Sequence, residues 1–146
     1  MMIRLMKTED YDGVLALWHA CTGMGLNNLD DSREGIERFL KRNPETCFVS
    51  EDAGRINGVI LAGSDGRRGY IYHTAVHPDC RHRGIASALA DTVIEALRNL
   101  GIHKTALVVF ERNEAGNAFW EKKGFHRRTD LVYRDFIIDE MVRYDT

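Results

Sequence analysis

The run Ala75-Val76-His77-Pro78-Asp79-Cys80-Arg81-His82-Arg83-Gly84-Ile85-Ala86 places three basic side chains and a glycine where an apolar strand breaks and a helix begins. Ile85, Leu89, Val93 and Leu97 then recur at helical spacing. The start of a helix leaves backbone N–H groups without partners and carries partial positive charge, so it receives anions. Arg81, His82 and Arg83 add charge at that mouth, and Gly84 lets a ligand approach the main chain. The chemistry this predicts is the grip of a phosphate or diphosphate by main-chain amides. His77, Cys80 and His82 also crowd together as metal-type ligands, but a structural zinc takes four, and Cys21 and Cys47 lie far away in sequence. A third alternative is a surface turn of Arg and His that merely opens the helix.

The elements that must hold this turn follow from periodicity. Residues 3–6 alternate like a strand, and Thr8-Glu9-Asp10 precedes a helix marked by Tyr11, Val14, Leu15 and Trp18. A polar loop over residues 27–31 leads to a second helix with Ile36, Phe39 and Leu40, ending near Asn43-Pro44. Residues 46–51 and 56–63 read as two strands joined by Asp52-Ala53-Gly54-Arg55, a hairpin signal. Residues 70–76 form the strand before the basic turn, and the long helix runs from 84 to about 100 with Gly101 as its stop. The apolar run 105–110 predicts a strand buried on both faces, a short helix passes through Trp120, and the alternation over 131–137 predicts a strand closing the sheet.

Arg81-x-x-Gly84-x-Ala86 resembles the [Arg/Gln]-x-x-Gly-x-[Gly/Ala] signature of the GNAT superfamily, the acyl-CoA-dependent N-acetyltransferases. Residues 113–125, which open at Asn113 and close with Gly124-Phe125, resemble that family's second recurrent element, in its order and at about its spacing. The resemblance spans roughly residues 3–138 as one domain. It implies an α/β (α+β) GNAT fold: a mixed central sheet of six to seven strands with splayed central strands, flanked by about four helices. It also implies acetyl-CoA as co-substrate, with no metal. Pantetheine would pair with Thr74, Ala75 and Val76 on one side and residues 108–111 on the other. The diphosphate would rest on Arg81, His82, Arg83, Gly84, Ile85 and Ala86, with Asn113, Asn117 and Trp120 toward the cofactor's far wall.

Acyl transfer to an amine needs a base for the amine's proton, donors for the tetrahedral oxyanion and an acid for the departing thiolate. His73 offers an imidazole on the central strand, Glu111 a carboxylate at a strand end, and the Val76 N–H an oxyanion donor. For His73 the alternative is a histidine at the core's edge bonded to a backbone carbonyl, and for Glu111 a solvated acid. Family members commonly carry a Tyr seven residues after the Asn as the acid, and this chain has Trp120, whose indole is no proton source near neutral pH. Tyr133 and Tyr72 are the substitutes. Residues 1–53 hold ten Asp and Glu against six Lys and Arg, and Asp30, Asp31 and Glu34 concentrate near the loop between the first two helices. That acidity would draw a cationic amine, or form an ordinary solvated face. The acceptor implied is a small-molecule amine or a protein N-terminal amine.

Composition narrows the rivals. The 146 residues fit one domain, and 44% hydrophobic with 29% charged residues is a globular balance. A net charge of -2 and a pI near 6.3 argue against a dedicated nucleic-acid or anionic-membrane binder, despite Arg67, Arg68, Arg81, Arg83, Arg127 and Arg128. Three widely spaced cysteines fit a reducing compartment, and no apolar run has the length of a signal peptide or a membrane span, so the cytoplasm is the expected location. A homodimer is an expectation of the family. The rival within the fold is a CoA-binding sensor or partner-binding module that has lost its chemistry.

Overall fold

A computed structural model describes residues 1–145. Five strands form one sheet in sequence order: β1 (Met2–Leu5), β2 (Phe48–Asp52), β3 (Arg55–Ser64), β4 (Gly69–Val76) and β5 (Thr105–Ala106). The first four are antiparallel neighbours, and β5 runs parallel to β4, paired at Gly69 with Thr105 and at Tyr70 with Ala106. Helices α1 (Tyr11–Ala20) and α2 (Arg33–Arg42) separate β1 from β2, α3 (Ile85–Asn99) separates β4 from β5, and α4 (Glu114–Lys122) follows β5.

The period of two along a strand sorts β3 between two cores. Val59 and Leu61 join Val14, Leu17 and Trp18 of α1 and Leu40 of α2, whereas Ile60 and Ala62 join Leu89, Val93 and Leu97 of α3 and Trp120 of α4. Both faces of β3 are therefore covered, as its unbroken run of buried residues requires. Where α3 crosses the sheet, a Cβ on Gly58 would lie 2.9 Å from Ile85 Cγ2 and 3.1 Å from Leu89 Cδ1. Glycine there lets the helix lie flat against the strand.

Two differences from the sequence reading concern strands. The sheet has five strands rather than six to seven. The run 105–110 pairs only over its first two residues, and Val108 is 60% exposed while Leu107 and Val109 pack on the α3 core. Only one of its faces is covered, because beyond Ala106 the chain leaves β4 instead of continuing between two neighbours. Residues 131–137 form no ladder, and Val132 and Phe136 are 76% and 87% exposed. Their alternation records two unlike faces, but a strand also needs a neighbour to bond, and among the described residues, 131–137 find none.

The polar loop before α2 is tightly specified. Asn27 Oδ1 accepts the N–H groups of Leu29 and Asp30, and Ser32 caps α2 by accepting the Gly35 N–H at 3.0 Å. A Cβ on Gly35 would collide with the carbonyl oxygens of Leu29 and Asp30, which are backbone and cannot swing aside. Gly35→Ala is therefore expected to destabilise the fold by about 2 kcal/mol or more, lowering Tm by roughly 6 °C or more in a thermal melt.

Candidate functional site

The site is organised by a defect in β4. Gly58 faces Val76 and Val59 faces Ala75, but Leu61 faces Tyr72, so β4 carries an extra residue between Tyr72 and Ala75. His73 lies in that bulge with φ +42°, a left-handed conformation unusual for a side chain with a Cβ. Such strain costs about 1 kcal/mol and persists only where neighbours enforce it. Helix α1 does so: Trp18 Nε1–H donates to the His73 carbonyl at 3.1 Å, and the two rings meet edge to face with centroids 5.3 Å apart. His73 Nε2 stands 2.9 Å from Asp31 Oδ1, and the Asp31 side chain is only 3% exposed.

Past the bulge, β4 loses its partner on one side. The His77 N–H bonds the Asn57 carbonyl at 2.9 Å, so by the alternation of an antiparallel ladder the N–H and C=O of Val76 point away from β3. That is the side from which β5 has already parted. A cleft of about 540 Å³ opens there. Its walls include Thr74, Ala75 and Val76 from β4, Arg81 from the basic turn, Cys21 and Met24 after α1, and Phe110, Arg112 and Asn113 before α4. The Thr74 hydroxyl is buried without a hydrogen-bond partner among the described residues, and the Val76 carbonyl takes the Cys21 thiol at 3.3 Å and Arg81 Nε at 3.4 Å. The Thr74 hydroxyl and the outward-pointing Val76 N–H beside a cleft favour a ligand that brings its own polar groups.

At the mouth, His82 and Gly84 both have positive φ, +64° and +79°, and no side chain among the described residues caps α3. The first N–H groups of a 15-residue helix are thus presented without a competing side-chain acceptor. A Cβ on Gly84 would meet nothing within 4 Å, so its glycine character answers the left-handed backbone and leaves room in front of the helix. His77 Nδ1 accepts the Asp79 N–H, which ties that imidazole into its own turn.

The sequence candidates do not all converge. Thr74, Ala75, Val76, Arg81 and Asn113 share the cleft, and His82, Arg83, Gly84, Ile85 and Ala86 form the adjoining helix entrance. His73 stands one residue upstream of Thr74, outside the cleft's wall. Asn117 turns its amide inward, donating to the Phe110 and Asn113 carbonyls. Glu111 is exposed, and Arg112 beside it borders the cleft. Trp120 is 8% exposed and packs edge to face on Phe119 and Phe125, so its ring belongs to the α3 core and not to the cleft. Tyr133 is 67% exposed and belongs to no strand. Burial pushes the Tyr70 phenol up to about 12 and raises Tyr72 in the same direction, which makes Tyr72 a poorer proton donor than its residue type suggests.

Asp31 corrects the picture of an acidic rim: it is 2% exposed, enclosed by the loop that Asp30 borders. Nothing in the local sequence distinguishes the two aspartates. Cys21 was also missed, because its place in the cleft wall depends on where α1 ends. Burial raises its thiol, with Arg81 opposing, and burial pushes the Cys47 thiol up to about 12. At pH 8, iodoacetamide is therefore expected to label partly exposed Cys80 well before Cys21 and Cys47 in the native protein, as tryptic mass spectrometry would show.

The family model of the acetyltransferase (GNAT) family matches residues 12–125, most of the chain. The protein belongs to the GNAT family. An acetyltransferase of Pectobacterium atrosepticum is 38% identical over 122 residues, 84% of this chain and 85% of that protein. One of Photorhabdus laumondii is 35% identical over 143 residues, 96% and 99% of the two chains. Among solved structures, the PaiA N-acetyltransferase of Thermoplasma acidophilum in complex with coenzyme A has the same fold, with a TM-score of 0.72 at 17% identity over 84% of this chain and 87% of that one. This GNAT protein is accordingly an acyltransferase whose five-stranded mixed sheet and four helices are those of the family. None of its described helices is long and apolar enough to cross a membrane.

Proposed function

We propose that this GNAT protein transfers an acetyl group from acetyl-CoA directly to a primary amine within a ternary complex. The observation that carries the reading is the continuity of three features: the unpaired edge of β4 at Val76, the cleft beside it, and the uncapped start of α3 at its end. Pantetheine amides would bond the freed β4 groups, and the diphosphate would take the N–H groups of residues 83–86 with Arg81 nearby. A relative of the same fold is seen with coenzyme A, which supports this co-substrate.

Acetyl-CoA supplies an activated acyl carbon on a thiol leaving group. The chain's part is to hold that carbon beside the Val76 N–H, where the oxyanion forms, and to accept the amine's proton. His73 is the base in this reading, since the bulge and α1 hold it one residue upstream of Thr74 in the cleft wall while Glu111 stays exposed. With Tyr72 raised by burial and Trp120 enclosed, the thiolate leaves without a tyrosine acid, helped by the modest basicity of an ordinary thiol.

The test is a panel of amines, from diamines and amino acids to peptide N-termini, with released CoA measured against acetyl-CoA alone. Amine-dependent release with a mass gain of one acetyl group on the acceptor is expected. Binding of CoA with no acceptor-dependent release across the panel would instead favour a CoA-binding module without chemistry.

A further inference from the structure

We infer that Asp31 is a positioning residue that sets the tautomer of His73, the two forming a proton-accepting dyad between the α1–α2 loop and the β4 bulge. This rests on the reading of the site as an acetyltransferase centre. The contact joins Asp31 Oδ1 to His73 Nε2 at 2.9 Å, with the two side chains 3% and 18% exposed. The carboxylate's other oxygen is committed as well, accepting the Asn27 N–H at 2.9 Å. Helix α1 clamps both backbones: Tyr11 Oη–H donates to the Asp31 carbonyl at 2.6 Å, and Trp18 Nε1–H donates to the His73 carbonyl at 3.1 Å. A merely structural pair would not need a left-handed histidine in a bulge at the point where the strand edge becomes free.

An acceptor at Asp31 Oδ1 requires a proton on Nε2 of the neutral imidazole, so Nδ1 carries the lone pair. In the reaction, the amine nitrogen bonds to the thioester carbon and gives its proton to Nδ1. The C–S bond breaks, and the sulfur leaves with the electron pair as CoA thiolate. The imidazolium then returns its proton through water to that thiolate, so acetyl-CoA and amine become amide and CoA thiol with nothing left over. Asp31 steadies the imidazolium without taking the proton.

The Asn27 N–H makes Asp31→Asn an unusually clean probe. It holds the amide oxygen on its own side, so the amide NH2 must face Nε2, take that lone pair and force the proton onto Nδ1. Both contacts of the Asp31 side chain survive, yet the accepting nitrogen is lost. Long-range 15N–1H spectra of the wild-type protein should show His73 as the Nε2–H tautomer, changing to Nδ1–H in Asp31→Asn. The kcat should fall about 100-fold, with CoA affinity and Tm little changed. A wild-type Nδ1–H tautomer, or an active Asp31→Asn with wild-type kcat, overturns the dyad alone. A wild-type protein that binds CoA but acetylates no amine overturns the underlying reading instead.

Discussion

Replacement of His73 by glutamine is expected to lower kcat by about two orders of magnitude and to abolish the acid limb of its pH profile, with KM for acetyl-CoA nearly unchanged. Glutamine keeps an N–H donor for Asp31 and removes the imidazole's proton-accepting nitrogen. Alanine is a worse probe, because it strands a buried carboxylate, a situation worth about 3–5 kcal/mol of stability, and also removes the edge-to-face contact with Trp18. Stopped assays from about pH 5 to 9 compare the two proteins. A wild-type profile in His73→Gln would show that another group, or a water chain, removes the amine's proton.

Gly84→Glu should weaken CoA binding by at least about 100-fold, roughly 2.7 kcal/mol. The substitution puts a carboxylate in front of the α3 N-terminus, where the helix field and the free N–H groups are offered to a diphosphate. A Cβ at this position meets no other atom within 4 Å, so the folding cost expected is that of the left-handed backbone, about 1 kcal/mol. Isothermal titration measures the affinity and a thermal melt the stability. Loss of binding with a folded protein is the expected pair, and undiminished affinity would remove the diphosphate from this turn.

What the sequence made legible was what repeats locally. The Ile85, Leu89, Val93 and Leu97 stripe announces α3, and all four are buried against the sheet. The Asp52-Ala53-Gly54-Arg55 turn announces the β2–β3 hairpin, and Ala53 and Gly54 take the positive φ values that such a turn demands. The GNAT resemblance of residues 81–86 and 113–125 led to the family that the match over residues 12–125 shows. Pairing was less legible. The alternation of residues 131–137 looks the same whether or not a neighbouring strand exists, and that of 105–110 does not record where β5 parts from β4.

The geometry of the candidate site was legible only in part. His73 stood out by residue type, but its bulge depends on a register shift against β3, and its partner lies in a loop before α2. Asp30 and Asp31 are adjacent and chemically identical, and only tertiary packing buries one and exposes the other. Trp120 stands where the family resemblance implied an acid, and its edge-to-face contacts with Phe119 and Phe125 make it a core residue.

The most direct test is a calorimetric titration with coenzyme A, paired with amide hydrogen exchange over residues 81–88. Measurable heat, with added protection concentrated on the amides of Arg83 to Ser87, is the predicted result. No heat, or binding that leaves those amides exchanging as before, would contradict a diphosphate seat at the start of α3.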